Sequence, residues 1–99
     1  MYVMYGHCEL FLPYAATLKD KRMVIRSILD RLKKRINISA LEIKYQDLWQ
    51  RSMLGFAAVA ASQTDLNLIR EAVRSTLDLH LSEAEIIGLN FDIIPIISD

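Results

Sequence analysis

The sequence contains little of what covalent or metal-dependent chemistry requires. Cysteine occurs once, as Cys8, so no internal disulfide can form and a reducing compartment is indicated. The two histidines, His7 and His80, are far apart in the chain, and no metal-ligand spacing is present. The chain has three glycines, no glycine-rich phosphate loop, and no nucleophile beside a base. We therefore expect that the protein is not an enzyme and holds no metal or cofactor.

Long apolar runs are missing as well. No stretch approaches the roughly 20 apolar residues that cross a bilayer, and the N-terminus begins with an alternating pattern instead of a basic segment and an apolar run. Apolar residues make up 53% of the chain and charged residues 24%, a composition typical of globular domains. We expect one domain over residues 1–99, cytoplasmic and without membrane contact.

Charge is balanced overall but divided along the chain. Twelve basic residues face twelve acidic ones, yet residues 1–51 carry ten basic and five acidic residues, and residues 52–99 carry two and seven. Eight basic residues fall in one predicted helix, which makes that helix the candidate anion-binding surface. They are Lys19, Lys21, Arg22, Arg26, Arg31, Lys33, Lys34 and Arg35.

Periodicity predicts four strands and two helices. Period-2 alternation and short apolar runs indicate strands, and apolar residues at 3.6-residue spacing indicate helices. Thr17, with Asp20 three residues later, is typical of a helix N-terminus, and Thr64 can cap the second helix. Pro95 indicates an edge strand or a strand end. The predicted strands cover residues 2–12, 38–46, 53–61 and 85–96, and the helices run from Thr17 to near Asn37 and from Thr64 onward.

The element order βαββαβ predicts an α+β, ferredoxin-like sandwich. Short connections and right-handed crossovers favour a four-stranded antiparallel sheet of order 4-1-3-2 with both helices on one face. Strand directions then bring residues 17–22, 46–51 and 80–85 to the same edge of the domain.

Two motifs resemble the YlxP-like family of small bacterial domains of unknown function. The resemblance implies a ferredoxin-like fold and no known enzymatic activity. Genes of the family often lie beside translation-initiation and ribosome-maturation genes, which implies a link to RNA or the ribosome. No motif after Ser62 contributes. The matching residues are Leu18 to Arg22 leading into Ser27 to Leu32, then Asn37, Ser39 and Glu42, then Gln46-Asp47-Leu48-Trp49-Gln50-Arg51 followed by Leu54-Gly55.

The basic helix has two interpretations. A solvated face that keeps the domain soluble is the simpler one. However, Lys19, Lys21 and Arg22 stand in the first turn, where cations oppose the helix dipole at a cost of roughly 0.3 to 1 kcal/mol each. A phosphate there would meet backbone N–H groups and several cations, among them Arg26 one turn on. The pattern therefore also predicts an anion site.

The segment Gln46 to Arg51 contains the single tryptophan, and it too has two interpretations. In a structural interpretation Trp49 covers the end of the core, Asp47 pairs with Arg51 or a lysine of the first helix, and the glutamines bond to backbone. In a functional interpretation an exposed indole stacks on a base, Gln50 assists, and Arg51 takes a phosphate or a guanine edge.

The sheet face opposite the helices should carry Tyr5, His7, Glu9 and Phe11. With no helix over it, this face predicts a homodimer or a partner. RNA binding on the sheet face is disfavoured because the third strand lacks the basic and aromatic signature of RNA-recognition domains.

Three hypotheses follow. The first is an RNA- or ribosome-associated protein, with rRNA as the natural ligand. The second is a homodimeric protein-interaction or assembly module without nucleic-acid binding, and the third is a regulatory domain that holds a small anion. The residues assigned to RNA are Lys19, Lys21, Arg22, Arg26, Trp49, Gln50 and Arg51.

Overall fold

Six elements follow one another in the computed structural model, which describes residues 1–96. Their order, βαββαβ, is the predicted one, and their ends lie within two residues of the predicted ends. The elements are β1 (Tyr2–Phe11), α1 (Leu18–Arg35), β2 (Ser39–Lys44), β3 (Arg51–Ala60), α2 (Gln63–Asp78) and β4 (Glu85–Pro95).

The four strands form one sheet in the order β2-β3-β1-β4, and every neighbouring pair is antiparallel. This is the predicted order read from the opposite edge, so the ferredoxin-like sandwich is confirmed. Strand β3 lies inside the sheet, in agreement with the predicted order. Within residues 1–96, no helix is both long enough and apolar enough to cross a membrane.

The core lies between the two helices and one face of the sheet. Alternation along β1 turns Met4, Cys8 and Leu10 inward and leaves Tyr5 and His7 exposed on the other face, where they were predicted. The first helix contributes Ile25, Ile28 and Leu32, and the second contributes Leu66, Val73 and Leu77.

Both helices begin with a side-chain cap. Thr17 Oγ1 accepts a hydrogen bond from the Asp20 backbone N–H at 3.1 Å, which confirms the predicted start of α1. The predicted cap of α2, Thr64, is wrong. Ser62 caps that helix by accepting from the Asp65 N–H at 3.2 Å, because Ser62 and Asp65 have the same three-residue spacing as Thr17 and Asp20 and start the helix earlier.

One glycine of β1 is required by close packing. Gly6 lies opposite Phe56 of β3 and Phe91 of β4, whose rings are 5.4 Å apart. A Cβ at Gly6 would collide with the backbone oxygen of Asn90 and come within 2.8 Å of the Phe56 ring. Gly88 of β4, in contrast, has open space at its Cβ position.

We predict that Gly6→Ala destabilises the fold by about 3 kcal/mol, because the backbone of β4 must move to admit the methyl group. Gly88→Ala is the matched control. Its free energy of unfolding should stay within about 1 kcal/mol of wild type. The methyl group meets no atom in the folded protein, and alanine restricts the unfolded chain more than glycine does, which slightly favours folding. Urea denaturation measures both, and equal stabilities for the two variants would refute the close packing at Gly6.

Candidate nucleic-acid interface

Lys21 is fully buried, although it was predicted to bind an anion. Its ammonium donates hydrogen bonds to the backbone oxygens of Tyr45 at 2.7 Å, Gln46 at 3.2 Å and Arg51 at 3.2 Å. The carboxylate of Glu42 lies 3.0 Å from the same nitrogen. The assignment of Lys21 to an anion site is therefore wrong, because its charge and donors are used inside the molecule.

The carboxylate that pairs with Lys21 has a second partner. Glu42 lies on the edge strand β2, and its Oε2 accepts a hydrogen bond from the buried hydroxyl of Ser52 at 2.6 Å. A charge buried without such partners costs several kcal/mol, so the lysine, the carboxylate and the hydroxyl form one unit.

The loop that joins β2 to β3, residues 45–50, is tied down at two places. Lys21 holds its first part, where Tyr45 adopts a left-handed backbone with φ 66°. At its other end, the backbone oxygen of Gln50 accepts from the Leu12 N–H at 2.8 Å. The Gln50 side chain donates long hydrogen bonds, both 3.4 Å, to the backbone oxygens of Pro13 and Ala15. The predicted bonding of glutamine to backbone is thus confirmed for Gln50.

The tip of this loop points outward. Trp49 is 51% exposed, so it does not cover the end of the core as the structural interpretation expected. It shares a hollow of about 420 Å³ with Phe11, Asp47 and Leu48, with Gln50 and Arg51 at its border. An indole that is half exposed on an anchored loop is available for contact with a ligand.

Arg51 is engaged within the protein. Its guanidinium pairs with Glu9 at 2.9 Å and lies 4.0 Å from the centre of the Tyr45 ring. The hydrogen bond with Glu9 raises the pKa of Arg51 above its usual value. The predicted pairing of Asp47 with Arg51 or with a lysine of α1 is wrong, because Glu9 on the neighbouring strand takes the guanidinium and Glu42 takes Lys21.

Three predicted cations do come together on the outer side of α1. Lys19, Arg22 and Arg26 are exposed, line one open groove with Met23, Ser27 and Asp30, and form no ion pair within residues 1–96. We call Lys19, Arg22 and Arg26 the cationic stripe. No lining residue of this groove belongs to the Trp49 hollow, so the structure divides the predicted site into two.

The remaining basic residues of α1 differ in their surroundings. Arg35 donates to the buried hydroxyl of Thr76 at 2.9 Å and so joins the two helices. Arg31, Lys33 and Lys34 are exposed, and Arg31 and Lys34 line a second hollow that shares Ser27 and Asp30 with the groove of the cationic stripe.

The single cysteine, Cys8, is not accessible from the surface. Its thiol is fully buried in the core, and burial raises its pKa to about 12. A thiol this protonated and this inaccessible reacts slowly. Among residues 1–96, no group of three His, Cys, Asp or Glu side chains could hold a metal ion.

Sequence reasoning missed the partners of Lys21, but a signal for its burial was present. Lys21 precedes Ile25 by four residues and Ile28 by seven, which is the spacing of the buried row of α1. The position of Lys21 along the helix therefore predicted that it faces the core. We grouped it with the exposed cations because we considered only the number of basic residues in the helix. No local pattern pointed to Glu42 or Ser52.

Residues 3–91 match the family described as protein of unknown function (DUF503). The chain belongs to this family. It is also 44% identical over 68 residues to the uncharacterized protein YlxP of Bacillus subtilis (strain 168), a match that covers 67% of this chain and 74% of that protein. The resemblance to the YlxP-like family is thereby confirmed, and the family description assigns no activity.

Two solved structures share the architecture. The de novo designed protein LFR1 1 with ferredoxin fold has a TM-score of 0.58 at 8% identity and covers 99% of this chain and 89% of its own. SnoaB, a cofactor-independent oxygenase from Streptomyces nogalater, has a TM-score of 0.54 at 4% identity and covers 99% and 95%. At these identities the likeness shows the fold alone.

We predict that Lys21→Met destabilises the protein by about 3 to 5 kcal/mol, because Glu42 and three backbone oxygens lose their partner. Lys19→Met, an equal change on the exposed side of the same helix, should alter the free energy of unfolding by less than about 0.5 kcal/mol. Chemical denaturation of the two variants measures the difference, and comparable losses would contradict the burial of Lys21.

Proposed function

We propose that the protein binds RNA, in association with the ribosome, through the cationic stripe of α1 and the exposed indole of Trp49. The observation that carries the proposal is that Lys19, Arg22 and Arg26 share one groove, lie open to solvent and form no ion pair in the described part of the chain. Lys21 and Arg51 are not part of the phosphate site, since Glu42 and Glu9 pair with them.

The position of the stripe favours an anionic ligand. Lys19 and Arg22 lie in the first turns of α1, where a positive side chain opposes the helix dipole. The buried contacts of Lys21 account for that cation, but within residues 1–96 neither Lys19 nor Arg22 has a buried contact of this kind. From Lys19 to Arg26 the stripe spans about 10 Å of helix axis, enough for successive phosphates of one strand.

The neighbouring loop offers a different contact. Trp49 presents half of its surface from a loop whose backbone is held by Lys21 and Gln50. A base stacked on an aromatic ring gains about 1 to 3 kcal/mol, and this gain depends little on sequence. The ligand that fits both contacts is single-stranded RNA, with its phosphates on the cationic stripe and one base stacked on the indole of Trp49.

We predict that Arg22→Glu with Arg26→Glu lowers the affinity for single-stranded rRNA fragments strongly, since two phosphate contacts become repulsive. Each contact removed should lower the slope of log affinity against log salt by about 0.7. Filter binding over a salt series measures both effects, with circular dichroism to verify the fold.

Arg26→Glu and Arg74→Glu form a matched pair for this test. Both change the net charge equally, but Arg74 is an exposed residue of α2 that lines a different hollow, together with Leu89 and Phe91. The affinity should fall for Arg26→Glu and stay close to wild type for Arg74→Glu. Equal losses would indicate a nonspecific charge effect, and binding that is absent or insensitive to salt would refute the proposal.

A second prediction concerns Trp49, whose emission reports on this loop alone because the chain has one tryptophan. Single-stranded RNA should quench the emission, whereas inorganic polyphosphate, which carries charge but no bases, should bind the stripe without quenching. Trp49→Ala should weaken RNA binding by about 1 to 3 kcal/mol, and Trp49→Phe by less. If Trp49→Ala binds RNA with wild-type affinity, the indole is not part of the RNA interface and only the cationic stripe remains as the proposed contact.

A further inference from the structure

The sheet face away from the helices exposes large apolar side chains, and no element of the described residues covers it. Val59 of β3 pairs with Val3, which pairs with Ile94 of β4, so three aliphatic side chains lie side by side across this face. Tyr5 follows Val3 on the same face of β1, and Leu41 of β2 lies further along the sheet, opposite Gly55. Exposed large apolar residues in one contiguous area are typical of an interface. The members of this sheet face, as used below, are Val3, Tyr5, Leu41, Ile43, Val59 and Ile94.

One ion pair of this face is formed within the chain. The guanidinium of Arg51 and the carboxylate of Glu9 pair with each other at 2.9 Å. Asp92 of β4 pairs with Tyr5 of β1 and so adds an exposed carboxylate to the same face. Because β4 is an edge strand, this carboxylate lies at the border of the face, where it stays hydrated when two copies meet. With Arg51 paired and Asp92 negative, the face does not suit a polyanion.

The two sheet edges are poor sites for association. Strand β2 has six residues and ends at Lys44. Strand β4 has a register shift against Glu9 and Leu10 of β1, and it ends at Pro95, which cannot donate a backbone hydrogen bond. Short, bulged, lysine-bearing or proline-bearing edges disfavour strand addition. Contact between faces therefore remains the favoured mode.

The area of the face suits a dimer of this chain. The strands have ten, six, ten and eleven residues. At about 3.3 Å per residue and about 4.8 Å between strands, the flat footprint is about 600 Å². The accessible surface of the face is larger than this flat footprint, because the side chains corrugate it. It is therefore of the same order as the roughly 800 Å² that a stable interface needs from each partner.

We propose that the protein forms a homodimer in which the sheet faces of two copies pack against each other. Because every copy carries this face, it satisfies a two-fold contact, in which the same patch serves both partners. Two sheets packed in this way lie about 10 Å apart with their strands inclined by about 30°. The helices, with both cationic stripes, then lie on the two outer sides.

The test is the mass of the full chain in solution after nuclease treatment and a high-salt wash, so that bound RNA cannot contribute. Light scattering coupled to size exclusion should give twice the 11.4 kDa of one chain. A mass of one chain at every concentration examined would overturn the proposal, while RNA binding by that monomer would leave the proposed function intact.

Val59→Lys should convert the dimer to a monomer, because two ammonium groups would enter the apolar contact. Leu68→Lys on α2 is the matched control. Leu68 is 59% exposed, close to the 63% of Val59, but it lies on the helical side of the molecule, so this variant should remain dimeric. Leu41→Lys on the edge strand is a second disrupting variant if Val59→Lys does not fold. Folded Val59→Lys and Leu41→Lys proteins that keep the wild-type mass would refute this interface.

Discussion

The ammonium of Lys21 holds the first helix, two strands and the loop between them in one arrangement. Three backbone oxygens and one carboxylate converge on it, from Tyr45, Gln46, Arg51 and Glu42. A lysine buried this completely is tolerated only when each donor has a partner and the charge is balanced. The loop geometry and the position of α1 therefore depend on each other. Trp49 extends from this fixed loop. A side chain on a fixed backbone loses little conformational freedom when a ligand binds.

The topology could be predicted because it depends on patterns within the chain. Alternation, helical spacing and connection length were enough for the strand order and for the inward side of β1. The cap of α2 was misplaced because Thr64 and Ser62 are both good capping residues, and the acid at Asp65 favours Ser62. The burial of Lys21 was readable from its phase with Ile25, but its partners were not, since Glu42 comes from another element.

The state of the tryptophan loop could not be read from the sequence for a physical reason. The groups that hold the loop are largely backbone oxygens, which every residue possesses and which leave no mark in a sequence. Comparison with solved structures does not supply the missing function. An oxygenase and a designed protein share this architecture at 4% and 8% identity, so the sandwich is compatible with unrelated roles. Function has to be argued from the side chains that the fold leaves unpaired.

Those side chains are segregated by the geometry of the fold. Within residues 1–96, the helical layer carries cations without ion pairs on its outer side, whereas the uncovered side of the sheet exposes apolar side chains and pairs its own Arg51 with Glu9. One surface thus suits a polyanion and the other suits an apolar partner, and neither use interferes with the other. If two copies meet through their sheets, the two cationic stripes point away from each other. One RNA could then engage both only by passing around the dimer, so a long RNA would gain affinity from the second stripe and a short one would not.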